Sequence, residues 1–469
     1  MKLLITVIIL LFNSCYSQDL LTHFPSVNGT VNTLCLYGNT LYIGGEFTDI
    51  EGIPRKNFAA INALTGEIKE WAPKANNAVY HIDIGKGVVY AAGKFTTING
   101  IARNTLGAID ASTGETTIWN PIVTCPIFDG EQIGNVNSVS LYRDTLYIAG
   151  YFTAINGVPK NNLAGIKVSD GTLSNWSPET TIPTYHIRIY KSKAYVSGGM
   201  YLTESDDIIH SFAKIDLETS NINNWEPLNT NCNPTAPITG HNDNLFISGP
   251  FSEAGGMVRN GVAKVNNSSG NAYAWDPQIG SESPLNSGVK TIAVNSDNVF
   301  LGGSFKSDIL ETLGDHLLAY DYNLGEVKNW TPNPNDDVNI IETNGDMLYV
   351  GGKFTLINEI EQSGLAVFNT AILNLDSYKL NNSEKVKLYP NPANSKTSID
   401  FAGNHVTSIK IYNLIGELIQ ELNYEQKTQQ QLTIDVSNFP NGQYYVIIIN
   451  EYGTSISTKL SVIHSNYFS

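Results

Sequence analysis

Hydrophobic positions along the chain alternate with small and polar ones in short runs, and one run recurs. Leu41-Tyr42-Ile43-Gly44-Gly45-Glu46-Phe47-Thr48 returns as Val89-Tyr90-Ala91-Ala92-Gly93-Lys94-Phe95-Thr96 and as Leu146-Tyr147-Ile148-Ala149-Gly150-Tyr151-Phe152-Thr153. Looser copies begin at Ala194, Leu245 and Val299, and Leu348-Tyr349-Val350-Gly351-Gly352-Lys353-Phe354 is the last. Their closing aromatics stand about 50 residues apart, the signature of a repeat architecture. In the first copy the pattern predicts four strands: Val31 to Leu36, Leu41 to Phe47, Asn57 to Ile61 and Ile68 to Trp71. Gly38-Asn39-Thr40 and Leu64-Thr65-Gly66 supply tight hairpin turns. Pro73 then blocks further pairing, because proline has no N–H for the ladder.

The period and the strands per repeat predict an all-β fold, a seven-bladed β-propeller. Glycine at matched places in a strand predicts close backbone approach between sheets. All six tryptophans (Trp71, Trp119, Trp176, Trp225, Trp275, Trp330) hold one repeat position, each followed two residues on by proline. They read as core between blades. The seventh repeat reaches Leu365-Ala366-Val367-Phe368 with no Trp-x-Pro behind it. The missing piece lies at the other end of the chain. Pro25, Asn28 and Val31 align with Pro73, Asn76 and Val79, with His23 where Trp71 stands. Residues 20 to 24 are therefore expected to form the outer strand of blade seven and close the ring, which removes two free sheet edges.

Repeats built on Gly-Gly-x-Phe-Thr, Ile-Asn-Gly-x-x-Arg-Asn, Leu-Ala-x-Ile-Asp and Trp-x-Pro resemble a family of secreted bacterial β-propeller repeats of unassigned function. The resemblance covers about residues 20 to 370 and implies a fold without an activity. Ser205 to Ser211 and Ser307 to His316 lack the Ile-Asn-Gly turn.

A polar stretch from Asn374 reads as a linker. After it come Leu388-Tyr389-Pro390-Asn391-Pro392-Ala393, Ile409-Lys410-Ile411-Tyr412-Asn413, Ile434-Asp435-Val436-Ser437-Asn438-Phe439-Pro440-Asn441-Gly442 and Thr458-Lys459-Leu460-Ser461-Val462. Short alternating strands with glycine turns, Gly416 among them, predict a small Ig-like β-sandwich. These blocks, in this order, resemble the C-terminal sorting domain of type IX secretion in Bacteroidetes-type bacteria. The resemblance spans residues 387 to 463. It implies export through the type IX machinery and a secreted or surface-attached product. The expected domains are a signal peptide at 1–17, the propeller at 18–373, a linker at 374–386 and the sorting domain at 387–469.

Composition changes this picture in three ways. Met1-Lys2 followed by the apolar run Leu3 to Phe12 is too short to span a bilayer and fits a secretory signal cut after Ser17. Cys15 would be the lipidated residue of the alternative, a lipoprotein. The net charge of -16 argues against nucleic acid, which needs a basic footprint. Excluding Cys15, Cys35, Cys125 and Cys232 make an odd number and no disulfide framework, though Cys125 and Cys232 fall in corresponding loops and pairing stays open.

Candidate chemistry sits in two places. Loops between strands two and three carry a basic residue at matched places, Arg55, Arg103, Lys160 and Arg259. They are candidates to hold an anionic glycan by forked hydrogen bonds; the plainer reading is that each caps carbonyls. Long connections, Pro121 to Asn135 and Pro227 to Pro237, lie on the same face. Along the innermost strands, His81, Asp83, His186, Arg188 and Glu342 are expected to approach a central channel, as a polar funnel or as the lining of a water-filled one. No HExxH, GxSxG, P-loop or EF-hand loop occurs, and no cofactor or metal is implied. The reading is a secreted or surface propeller that binds a glycan or protein, or acts as scaffold. The alternative is a polysaccharide hydrolase or lyase with Asp83 and Glu342 as its carboxylates.

Overall fold

The computed structural model describes residues 20–464 except 179, 181, 201–209, 224, 226–237, 250, 278–287, 306–314, 329, 375–386, 401–405, 414–417, 424–430 and 451–454. The signal segment with Cys15, the loop Pro227 to Pro237 with Cys232, most of the linker, Gly416 and most of the two divergent turns lie outside the described residues. The chain divides into two compact units, residues 21–379 and a unit containing residues 380–469.

The first unit is all-β and built from many small sheets. Seven of them, I to VII in chain order, start with a long antiparallel hairpin: Val27–Tyr37 with Thr40–Ile50, Val79–Gly85 with Val88–Gly93, Val136–Tyr142 with Thr145–Gly150, Thr184–Tyr190 with Lys193–Met200, Ile238–His241 with Asn244–Ser248, Val289–Val294 with Asn298–Gly303, and Val338–Asn344 with Met347–Gly352. A third strand pairs with the second of each, as Phe58–Asn62 does in sheet I. Each first strand lies against the first strand of the next sheet, and that of sheet VII lies against that of sheet I.

The fourth strand is weaker than the sequence pattern predicts. Among the described residues only sheet IV pairs a two-residue piece, Ile222–Asn223. Sheets I, II, III, V and VI keep a single bridge, such as Ile61 to Ile68. The reason is the tryptophan that follows. Its ring stands edge-on to the aromatic of the second strand, at 5.0 Å for Tyr42 and Trp71. Its indole N–H donates to the third-strand carbonyl of the next sheet: Trp71 to Asp110 at 2.9 Å, Trp119 to Lys167 at 3.0 Å, Trp176 to Asp216 at 3.0 Å and Trp275 to Asp321 at 2.9 Å. The chain leaves the ladder to deliver that ring. Core clusters accordingly span two consecutive sheets. Tyr42, Phe58 and Trp71 pack with Val79, Val89 and Phe95, and Phe24, Val31 and Leu41 pack with Tyr349, Leu365 and Val367.

A second contact follows the same rule. The Tyr42 hydroxyl donates to the Ala111 carbonyl of the next sheet, and the Tyr349 hydroxyl to the Ala63 carbonyl, both at 2.8 Å. Sheet V has Phe246 at that place and no hydroxyl. There the buried Lys264 supplies the donor, with Nζ 2.9 Å from the corresponding Tyr322 carbonyl and 3.8 Å from the Tyr322 ring centroid. Lys264→Ala is expected to lower stability by about 2 kcal/mol, since the carbonyl loses its donor. Adding Phe246→Tyr restores a hydroxyl, and denaturant titration of the double variant is expected to recover most of the loss.

The recurrent glycines answer to two different neighbours. A Cβ on the first, Gly44, would meet the Thr33 and Val79 methyls at 2.8 Å, so this position faces the next sheet. A Cβ on the second, Gly45, would lie 2.1 Å from the Thr30 carbonyl of its own sheet, beside the register shift between Val31 and Thr33. The predicted approach between sheets holds for the first glycine only; the second is required by the bulge.

Residues 20–24 are not the strand the sequence predicts: Leu20 makes a lone bridge and Thr22 to Phe24 turn, as the fourth segment of most sheets is likewise reduced to a bridge. The Leu21 N–H still donates to the Val367 carbonyl at 2.8 Å, as the Lys69 N–H does to Ala60 at 2.9 Å. The Val27 N–H donates to the Ser363 carbonyl at 2.8 Å. His23, aligned with the tryptophans, is exposed; its neighbour Phe24 is 2% exposed and packs edge-on to Tyr349 at 6.4 Å. The aromatic role therefore falls one residue later than the alignment places it.

In the second unit two antiparallel sheets share one core. One contains Lys387–Tyr389, Lys396–Asp400 and Gln431–Asp435, the other Leu418–Asn423, Val406–Asn413, Gly442–Asn450 and Ser455–Val462. Ile399, Ile434, Ile409, Val446 and Leu460 pack together between them. Asn391 fastens the first motif to the last: its Nδ2 donates to the Lys459 carbonyl and its Oδ1 accepts from the Ser461 N–H, both at 2.8 Å.

Candidate functional site

First strands have no backbone ladder to one another, so their edge amides need other partners. Side chains provide them in two layers. Thr33 Oγ1 accepts from Ile82 N–H at 3.2 Å, His81 Nδ1 from Val139 N–H at 3.1 Å, Ser138 Oγ from Ile187 N–H at 3.2 Å and Thr291 Oγ1 from Ile341 N–H at 3.0 Å. Two residues on, an Asp83 carboxylate oxygen accepts from Leu141 N–H at 2.6 Å and Ser140 Oγ from Ile189 N–H at 3.1 Å. His81 and Asp83 thus act as rungs between sheets II and III. Sequence reasoning picked both for their chemistry and missed this bonding.

The structure brings His81, Asp83, His186, Arg188 and Glu342 into one electrostatic neighbourhood. The His81 and His186 rings meet edge-on at 5.9 Å. Arg188 acts on His81, Asp83, His186 and Glu342, and Asp83 acts on Glu342. Water reaches part of His81, Asp83, His186 and Glu342, and Arg188 is exposed. Surrounding protein nevertheless disfavours charge on the other four. Burial, with Arg188 adding to it, pushes His81 down to about 4. Burial, then His81 and Arg188, push His186 down to about 3. Burial raises Asp83 despite the Leu141 amide and Arg188, and it raises the Cys35 thiol nearby. Burial pushes Glu342 up to about 7, with Arg188 opposing and Asp83 reinforcing it. These side chains are wet but closely walled, as in a narrow water-accessible passage.

Two atoms here lack a committed role. His186 Nδ1 has no hydrogen-bond partner. No hydrogen bond ties the Arg188 guanidinium to another described residue. His81 is held neutral with its proton on Nε2, because Nδ1 accepts from Val139. Among the described residues no group of three His, Cys, Asp or Glu side chains is arranged to hold a metal ion.

Glu342 makes stability depend on pH in a definite direction. A folded-state value near 7 against 4.5 means the folded protein binds the extra proton between those values. Stability from this group therefore falls as pH rises from 4.5 to 7. Glu342→Gln is expected to leave stability near pH 4 unchanged and to raise it above pH 7 by up to about 3 kcal/mol, read by denaturant titration at both values. The two histidines act oppositely: their depressed values cost stability as pH falls below 6.5.

The four basic loop residues do not join this neighbourhood. Arg55 donates to the Pro54 and Lys69 carbonyls at 2.9 and 2.7 Å, and Arg103 to Ala102 and Thr117 at 2.7 and 2.5 Å. Arg259 donates to Val258 and Tyr273 at 2.6 and 2.5 Å, with Asp276 3.6 Å away. Lys160 donates to the Ser177 hydroxyl and Pro178 carbonyl at 2.9 and 2.6 Å. Each arginine fork fastens its loop to the segment leading to the tryptophan, and Lys160 fastens its loop to the two residues after Trp176. The terminal nitrogens of the forks are thus turned onto the chain itself, while the buried Nε of Arg55, Arg103 and Arg259 has no hydrogen-bond partner. Cys35 and Cys125 form no disulfide with another described cysteine. Pairing of Cys125 with Cys232 falls outside the described residues.

An all-β protein of many small sheets that ends in a separate two-sheet unit is what these features define. Residues 387–463 of that unit match the family described as "Secretion system C-terminal sorting domain". Such a domain marks proteins exported by type IX secretion and attached to the cell surface or released, so this chain is a secreted or cell-surface protein that engages the type IX machinery. No helix among the described residues is long and apolar enough to cross a membrane. No curated protein matches the sequence. Among solved structures the chain is similar to the extracellular domain of BT4673 from B. thetaiotaomicron, at 11% identity and TM-score 0.43 over 93% of this chain; it spans 56% of that one. It is also similar to BamB from Moraxella catarrhalis, at 13% identity and TM-score 0.38, over 73% of this chain and 82% of that one.

Proposed function

We propose that residues 18–373 form a seven-bladed β-propeller closed by the N-terminal strand, and that this propeller is the binding or scaffold cargo of the sorting domain, an Ig-like β-sandwich at 387–469. Residues 1–17 would be its signal peptide and 374–386 the linker. The succession of first strands that returns from sheet VII to sheet I supports the ring. The ligand would be a glycan or a protein, received by the polar centre at His81, Asp83, His186, Arg188 and Glu342. One observation carries this choice: an exposed arginine, Arg188, has no hydrogen-bond partner among the described residues and stands beside His186, whose Nδ1 is buried and also unpartnered. Unsatisfied, convergent polar groups are what a polar ligand needs. Arg55, Arg103, Lys160 and Arg259 would have to break their carbonyl bonds to take part.

A second reading has one observation in its favour. Glu342, held near 7 beside the ionisable Asp83, has the character of a general acid paired with a second carboxylate. That would make the chain a polysaccharide hydrolase or lyase. A glycan array on the mature chain, with turnover assayed on each hit, separates the readings. Binding that Arg188→Ala abolishes, without product formation, supports the first. Turnover lost in Glu342→Gln supports the second. No binding by any glycan removes the glycan version of both.

A further inference from the structure

The connection from Pro121 to Asn135 is not a plain loop. Val123–Thr124 adds as a third strand to the hairpin Ala154–Ile155 and Val158–Pro159. Ile127–Phe128 and Glu131–Gln132 then pair as a hairpin of their own. Asp129 and Gly130 have φ of 52° and 81°, the left-handed pair that a two-residue turn between strands requires. The base is anchored. Asn104 Nδ2 donates to the Val123 carbonyl at 3.3 Å and to Gln132 Oε1 at 3.2 Å, and the Ile133 N–H donates to Pro126 at 3.0 Å. Ile122 exchanges hydrogen bonds with Asn156, which ties it to the turn carrying Val158.

What this rigid hairpin presents is apolar. Ile127 is 70% and Phe128 73% exposed, and Ile122, Ile133 and Val158 are each more than half exposed. Single exposed apolar side chains are ordinary; five on one tied-together projection are not. Phe128 has a flat face that could stack on a sugar, but the other four are branched aliphatics that lack one, so the patch as a whole favours an apolar protein cleft over a glycan. The exposed Asp129 and Glu131 flank the tip, and the chain carries a net charge of -16. Like charge disfavours both an anionic membrane surface and a second copy of this chain.

We propose that the Ile127–Phe128 hairpin is a preformed docking knob for a protein partner, one that offers an apolar cleft rimmed by basic side chains. Preorganisation lowers the entropic cost of seating it, and the acidic flanks orient it. The hairpin shares no residue with the polar centre, so the proposal stands whether or not that centre binds a ligand.

Photo-crosslinking tests it in the full chain exported by its own cells. A benzophenone amino acid replaces Phe128 in one variant, Ile127 in a second and the fully exposed Ile118 in a control. The expected result is a discrete protein adduct from Phe128 or Ile127 at about tenfold the Ile118 yield, falling about tenfold in D129K/E131K and at high ionic strength. Unchanged melting of D129K/E131K shows that the loss is not unfolding. Yields no higher than at Ile118 overturn the proposal. So do an adduct of twice the chain mass, an adduct to lipid, or one indifferent to charge reversal.

Discussion

Removing residues 18–28 from the mature chain is expected to destabilise the sheet unit by roughly 5 kcal/mol or more. Phe24 is buried against Tyr349, and burial of that kind is worth about 3–5 kcal/mol. The Leu21 and Val27 amides add two backbone hydrogen bonds to sheet VII, each worth about 1 kcal/mol. Their loss also exposes the edge at Leu365–Asn369, so the truncated chain is expected to aggregate on heating. Phe24→Ala alone carries most of the effect, about 3–5 kcal/mol. His23→Ala is expected to stay within about 0.5 kcal/mol, because that ring is exposed. Melting curves for the three proteins, with light scattering for the first, decide the matter. Equal melting of the truncated and intact chains would remove the latch and the ring closure built on it.

A second large effect separates two adjacent glycines. Gly45→Ala drives a Cβ to 2.1 Å from the Thr30 carbonyl, a backbone atom held in the bulge. Relief requires moving the hairpin, at a cost of roughly 3 kcal/mol or more. Gly44→Ala meets only the Thr33 and Val79 methyls at 2.8 Å. Sheets II and III already carry alanine at that place, Ala92 and Ala149, both buried without strain on the repeat. That variant is expected to lose about 1 kcal/mol or less. Denaturant midpoints for the pair give the comparison directly. Equal losses would mean that the bulge does not demand the second glycine.

Much of the strand order was legible, because each feature repeats at a fixed distance along the chain. Tryptophan at one place in six repeats marked a core position, and its ring is buried in all six. Pro25, Asn28 and Val31 matched their counterparts near Trp71 closely enough to place Leu21 beside Val367. The same alignment put His23 where Phe24 serves, since pattern matching weighs identity by position and not by which ring can turn inward. The fourth strand looked regular in sequence and is a single bridge in most sheets, because the indole's bond to the next sheet competes with the ladder.

The candidate site was legible in part. Counting along the inner strands gathered His81, Asp83, His186, Arg188 and Glu342 without any local motif. Counting gave no hint that His81 and Asp83 cap amides of sheet III, or that Lys264 gives the Tyr322 carbonyl its donor, as Lys214 does for the Asn267 carbonyl one sheet earlier. Matched basic residues left two readings, a partial ring for an anionic glycan and the plainer one of carbonyl capping; the carbonyls they hold include ones from segments some fourteen residues later in the same repeat, as the plainer reading expects.

By itself the sequence determined the repeat, the all-β character, the export module and the segment that returns from the beginning of the chain to its seventh sheet. Those are encoded in periodicity and in short motifs, which survive without coordinates. Tertiary structure alone decided which polar groups are spent and which are left over. Hydrogen-bond partners across sheets sit about fifty residues apart in the chain, and whether a given arginine or histidine finds one depends on angles that no spacing records. The exposed Arg188 in the centre and the bare apolar hairpin at Ile127 and Phe128 are where binding is to be sought, because both are open to a partner and neither is used by the fold.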